Sequence, residues 1–239
     1  MKFSMAEILE TNNLSRRFGG LQAVKKVNLS IHNGTIVGLA GPNGAGKTTL
    51  FNLIAGFLTP TSGAVYFEGQ DITDWSISRR VSAGITRTFQ GTRVFPGLTV
   101  RANVLTGTYV SSDKKFFGGG GRYLPRLRPG EAHNSTVDWI MQATHLDNYA
   151  DTLACNLSYG YGQRLGLAIA IATDPKLLLL DEPFSGTHID QIGELAELLR
   201  ILKDRGLTVV LVEHDITSVV NLSDRLVYME SGEVTIPNG

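Results

Sequence analysis

The octet Gly41-Pro42-Asn43-Gly44-Ala45-Gly46-Lys47-Thr48 constrains this chain more than any other feature. It fits GxxxxGK[ST] at every defined position, between an apolar run (residues 35–40) and a helical stretch from Lys47 to Ala55. A strand, a glycine loop and a helix in that order form a phosphate cradle. Glycines let the backbone curl so that several N–H groups converge on one anion, and the helix dipole adds positive potential there. Lys47 brings a full charge to the β- and γ-phosphates, Thr48 a hydroxyl suited to magnesium, and Thr49 a second hydroxyl within reach of the α-phosphate. The pattern predicts a bound nucleotide, without saying what the nucleotide is used for.

Two further runs share the character of residues 35–40: Leu177-Leu178-Leu179-Leu180 and Leu207-Thr208-Val209-Val210-Leu211-Val212. Strands that are apolar throughout are buried on both faces, as in parallel sheets covered by helices. Helices are expected over Lys47–Ala55, Gln163–Ala172 and Gln191–Arg205, with Gly56 and Pro60 closing the first. The alternation predicts an α/β fold with a mostly parallel core sheet. Near the N-terminus, Ile8 to Ile31 and Val65-Tyr66-Phe67-Glu68-Gly69 have near-two-residue periodicity, predicting an antiparallel sheet along one edge of that body. Helical spacing returns over Thr136–Thr144, whereas Ser111 to Glu131, rich in Gly, Pro, Lys and Arg, is expected to be an exposed loop. A mainly helical segment inserted between parallel strands accounts for the middle of the chain.

Composition narrows the class. The 239 residues carry 22 Lys+Arg against 22 Asp+Glu, so no net field draws the molecule onto nucleic acid or anionic lipid. The lone cysteine, Cys155, has no internal partner for a disulfide and is expected to be a small buried residue. No apolar run reaches the roughly 18 residues of a membrane span, and no signal-peptide layout opens the chain, so a cytosolic protein is expected. Trp75 and Trp139 are expected to be packing residues, and Arg122, Arg126 and Arg128 with Tyr123 a solvated loop.

The leucine run ends in Asp181-Glu182-Pro183. Ligands bind at the carboxyl ends of parallel strands, so these acids are expected beside the cradle. There Asp181 suits magnesium, and Glu182 is placed to polarise a water against the γ-phosphate. His214, after Leu211-Val212-Glu213, ends the next apolar run and could bond the γ-phosphate; Gln90 ends the run Ile85-Thr86-Arg87-Thr88-Phe89.

Together these residues resemble the ATP-binding subunit of ABC transporters. Leu157-Ser158-Tyr159-Gly160-Tyr161, followed by Gly162-Gln163-Arg164, resembles the family signature LSGGQ. Phe18 is similar to the aromatic that stacks on adenine, Gln90 to the Q-loop glutamine, His214 to the switch histidine, and Pro183-Phe184-Ser185-Gly186-Thr187-His188 to the D-loop. Within the family, Arg87-Thr88-Phe89-Gln90, the segment Val94-Phe95-Pro96-Gly97-Leu98-Thr99-Val100 with Asn103-Val104, and the long stretch from Gln90 to the signature resemble importers of branched-chain amino acids. The signature departs from LSGGQ at its third and fifth residues, both tyrosine, and His188 stands where most of the family has Asp.

The resemblance implies one ABC ATP-binding domain over residues 5–239, with a nucleotide-binding core and β-subdomain (5–90 and 157–239) and a mainly helical subdomain (91–156). It implies ATP and Mg2+ as cofactors: ATP on Phe18 and residues 41–49, the metal on Thr48, Gln90 and Asp181, and Glu182, His214 and Gln90 as the catalytic set. It implies a signature, Leu157 to Tyr161, that acts in trans on a second ATP-binding subunit. Permease subunits, and a solute-binding protein indirectly, complete the implied assembly on the cytoplasmic face of the inner membrane, with Arg93 to Pro96 in the permease contact. The implied work is uptake of branched-chain or related amino acids. The alternatives are a urea or amide importer, a lipid or export system and, more remotely, a P-loop ATPase outside transport.

Overall fold

The computed structural model describes residues 6–88, 94–116, 132–184, 189–213 and 216–235. Gln90, Arg93, residues 122–128, Ser185 to His188 and His214 lie outside the described residues. Two sheets organise the rest. Strands β1 (Glu7–Phe18), β2 (Leu21–His32), β4 (Ser62–Phe67) and β5 (Gln70–Asp71) form an antiparallel sheet in the order β2-β1-β4-β5. The second sheet has six strands: β3 (Ile36–Ala40), β6 (Ile85–Arg87), β7 (Leu177–Asp181), β8 (Thr208–Val212), β9 (Arg225–Glu230) and β10 (Glu233–Thr235). Its order is β10-β9-β3-β8-β7-β6, and every pairing is parallel except β9 with β10.

Strand periodicity divides the apolar runs between two cores. Leu177, Leu179, Val210, Val212, Val37 and Leu39 point to one face; Leu178, Leu180, Val209, Leu211 and Ile36 point to the other. All four leucines of β7 are fully buried, each contributing about 1.5–3 kcal/mol. The first face packs on helix α1 (Lys47–Ala55) and on the inward residues of the antiparallel sheet, including Leu9, Leu14, Val27, Leu29 and Ile31. This corrects the expected edge-on sheet: it lies over α1 and shares a core with one face of the parallel sheet, because its buried residues need an apolar surface that an edge does not offer.

Helices α3 (Val100–Phe116), α4 (Ala132–Ala143), α5 (Tyr159–Ala172), α6 (Ile189–Asp204) and α7 (Ile216–Leu222) supply the second core. Two further expectations are corrected. Residues 111–116 continue α3 rather than starting a loop. Cys155 is exposed; in its short 3₁₀ turn (Ala154–Asn156) the inward position is taken by the preceding Ala154. Trp75 and Trp139 do pack against the two cores, each under an arginine (Arg79 at 3.9 Å, Arg205 at 5.0 Å).

One helix gave no signal in the apolar pattern. Helix α2 (Ile77–Ala83) begins at Ser76, whose hydroxyl accepts from Arg79 N, and stops at Gly84. It carries Arg80, 1% exposed, whose guanidinium donates to the carbonyls of Leu53, Ile54, Ile72, Thr73 and Trp75. The carbonyls that end α1 lack partners within the helix, and Arg80 supplies them. Burial pulls its pKa to about 10, still far above neutrality.

Candidate active site

The cradle lies where β3 ends and α1 begins. Gly41 takes φ 147°, and a Cβ there would sit 2.0 Å from the Met229 carbonyl oxygen. Gly46 takes φ 105°, and a Cβ there would sit 2.3 Å from the Ala23 carbonyl oxygen. Only glycine fits at either place. The loop is thereby wedged between β2 and the end of β9, and Gly232 N donates to Ala45 O at 2.9 Å. Helix α1 has no side-chain cap and no acidic residue in its first turn, so its leading N–H groups and dipole serve the loop.

Lys47 is 6% exposed, and its ammonium sits inside the curl, donating to Gly41 O at 2.6 Å and Pro42 O at 2.9 Å. Burial lowers its pKa from the ordinary lysine value, while the charges of Glu182 and then Asp181 act in the opposite direction. The same field therefore joins lysine and carboxylates that are far apart in the chain. Thr48 is exposed and Thr49 half-buried.

Asp181 and Glu182 leave the C-terminal end of β7, as their sequence position predicts, but face different surroundings. Asp181 is 5% exposed and accepts from Arg87 Nη2 at 2.6 Å. Glu182 is half-buried with a left-handed backbone (φ 52°), uncommon for a residue with a side chain. The turn is tied on both sides: Glu182 N donates to Val212 O at 2.9 Å, and Phe184 N donates to the carboxylate of buried Glu213 at 2.7 Å. Residues 212–213 thus fix the segment that presents Glu182.

The signature opens α5. Ser158 is its N-cap residue, exposed and extended, and makes no side-chain bond to its own helix. Tyr159 is exposed and its hydroxyl accepts from Gln163 Nε2. Leu157, Gly160 and Tyr161 are half-buried, and Tyr161 turns inward, its ring 4.3 Å from that of Tyr149. Phe18 ends β1, 43% exposed, with the Arg16 guanidinium 4.7 Å from its ring centre. It is separated by a two-residue turn from β2, the strand whose Ala23 lines the cradle.

The model of the ABC transporter family matches residues 24–185, well over half the chain. The chain belongs to the ABC transporter family. It is 36% identical over 228 residues to BraF, the high-affinity branched-chain amino acid transport ATP-binding protein of Pseudomonas aeruginosa, covering 94% of this chain and 89% of that one. It is 37% identical to LivG of Escherichia coli K12 over the same shares. A probable sulfate/thiosulfate import ATP-binding protein, CysA of Chlorella vulgaris, is 36% identical, over 93% of this chain and 87% of that one. Among solved structures, the ADP conformation of MJ1267, an ATP-binding cassette of an ABC transporter, matches with a TM-score of 0.80 and 31% identity over 96% and 90% of the two chains. The dimeric post-hydrolysis cassette MJ0796, bound to ADP and phosphate, matches at 0.80 and 27%, over 97% and 100%.

As an ABC ATPase the chain binds and hydrolyses ATP. The donors offered to a metal, the Thr48 hydroxyl and the Asp181 carboxylate, are hard oxygens suited to Mg2+, so the residues fit the ion that the resemblance implies. Among the described residues no helix is long and apolar enough to cross a membrane. Sequence reasoning missed Arg87, Glu213 and Arg80 as site builders. Arg87 and Glu213 are charged residues in or beside an apolar run, a signal of a paired buried charge, whereas Arg80 lies outside any such run.

Proposed function

We propose that this ATPase drives uptake of branched-chain or related amino acids through separate permease subunits, as a head-to-tail pair enclosing two ATP molecules. The working unit would be one domain over residues 5–239, with 91–156 as its helical subdomain. The observation that carries the pairing is Ser158: an exposed hydroxyl at an uncapped helix N-terminus, made for an anion yet bonded to nothing in its own helix. The amino acid reading rests on the likeness to BraF and LivG over nearly the whole chain. Docking on membrane subunits at the cytoplasmic face belongs to the same proposal. So does a contact through Phe95, 56% exposed on a loop braced by buried Asn103, which bonds Phe95 N and O, Leu98 O and Thr99 O.

In this reading Phe18 stacks on adenine and residues 41–49 wrap the phosphates. Lys47 exchanges its two loop carbonyls for β- and γ-phosphate oxygens. Thr48, Gln90 and Asp181 would hold the magnesium, which would supply positive charge beside the phosphates. Ser158 of a second subunit closes over the γ-phosphate. The Glu182 carboxylate orients the attacking water and takes its proton as the bond from water oxygen to γ-phosphorus forms and the β–γ bridge breaks, while His214 holds the γ-phosphate. Separate ADP and phosphate no longer bridge the two subunits, so the pair reopens.

Glu182→Gln should slow turnover and trap a pair in ATP, eluting at twice the monomer mass in gel filtration. A monomer under those conditions would reject the pairing. Labelled leucine uptake by the reconstituted transporter, lost with Lys47→Ala, tests the solute; uptake of urea instead would overturn it.

A further inference from the structure

Arg87 is the last residue of β6. In the parallel register Arg87 stands beside Leu179, so Asp181 is two residues further along β7 on the same face. Its guanidinium holds two partners at once: Nη1 donates to Asn52 Oδ1, and Nη2 to Asp181 Oδ2 at 2.6 Å. The side chains of Arg87 and Asp181 are 5% and 3% exposed. The rings of Phe51 and Phe57 flank the guanidinium, their centres 5.8 and 5.9 Å away. Asn52 stands four residues beyond Thr48 in α1, on the same helix face. One planar fork therefore spans the helix that carries Thr48 and the strand that carries Asp181, and it grows from the strand leading to Gln90.

A buried ion pair returns little net stability, because desolvating both charges offsets their attraction. Apolar residues would hold β6 to β7 as well. A guanidinium fork offers fixed direction instead, in a plane that matches a carboxylate. We propose that Arg87 is a positioning residue for the metal site: it sets the spacing between Thr48 and Asp181, and by engaging Asp181 Oδ2 it reserves Oδ1 for magnesium. This rests on the reading of Thr48 and Asp181 as magnesium ligands.

The test is equilibrium binding of a fluorescent ATP analogue to the full chain, in EDTA and in excess magnesium chloride. The ratio of the two affinities isolates the metal's contribution. Arg87→Gln is expected to lower that ratio by about tenfold or more, the usual cost of losing a residue behind a metal ligand, while affinity in EDTA stays within about twofold. Arg87→Lys keeps the charge without the fork and should restore only part of the ratio. Asn52→Ala frees one arm and should lower the ratio less than Arg87→Gln. An unchanged ratio in Arg87→Gln, or equal losses in both media, overturns the proposal. If Arg87→Gln does not fold, Asn52→Ala and Arg87→Lys decide on the same criterion, unchanged ratios in both overturning it. Asp181→Asn separates the two levels: a wild-type ratio there refutes the magnesium reading itself, and the role of Arg87 falls with it.

Discussion

Helices α1 and α5 both begin without a side-chain cap and without an acidic residue in the first turn, but their surroundings differ. Around the start of α1 the chain supplies everything an anion needs: a loop wedged against Ala23 and Met229, a buried lysine, and a carboxylate pair whose field reaches that lysine. Around the start of α5 there is an exposed serine and an exposed tyrosine, and the other tyrosine of the motif is spent on packing against Tyr149. The first terminus is finished within one chain. Among the described residues the second offers a donor surface without a cradle, and in the proposed pair a neighbour brings the phosphate to it.

The contrast can be broken most severely at Gly41. Gly41→Ala forces a methyl group into the Met229 carbonyl, so a loss of about 3 kcal/mol or more is expected together with loss of nucleotide binding, read by thermal melting and by ADP titration. Ser158→Ala tests the other terminus. Turnover should fall about 100-fold, as when one donor to a transition-state anion is removed. ADP affinity of the isolated chain should hold, and stability should change by less than about 0.5 kcal/mol, because the hydroxyl caps nothing. A normal turnover rate in Ser158→Ala would erase the distinction between the termini. Tyr161→Ala should destabilise the fold by about 1–2 kcal/mol, measured by urea denaturation, whereas a residue presented to a neighbour would leave stability unchanged.

The smallest effect is expected at Glu194, beside the start of α5. Its carboxylate accepts from Arg164 Nη2 at 2.7 Å, and that hydrogen bond holds its pKa below the ordinary glutamate value of 4.5. A depressed carboxylate stabilises the fold above that value, and the contribution disappears as pH falls through the folded-state pKa. Glu194→Gln should therefore flatten a shallow acid slope in melting temperature below pH 4.5, lowering the melting temperature slightly at neutrality and leaving it unchanged at the acid end, where the wild-type carboxyl is protonated. The side chain is 45% exposed, so solvent screening keeps the effect slight.

Much of this was legible in the residues themselves. Lys47–Ala55 is the helix expected, with the same ends. The three apolar runs became neighbouring parallel strands, β3, β8 and β7, because a strand that is apolar on both faces has nowhere to lie but inside a sheet covered on both sides. Helix α2 was missed because its identity lies in its ends, Ser76 and Gly84, more than in any apolar stripe. The turn at Glu182 was missed because its left-handed backbone is stabilised by Val212 and Glu213, some thirty positions away.

By itself, the sequence determined what depends on short separations: the glycine cradle, the helix behind it, the acids ending a buried strand, and membership of a family read from ordered motifs. Tertiary structure decided which charges meet. Arg87 reaches Asp181 only because β6 and β7 lie in one parallel register, and Arg80 reaches the end of α1 only because α2 folds back against it. Spacing within a helix or strand is set by the local backbone repeat, whereas a buried charge takes as its partner whatever group packing brings within hydrogen-bond range.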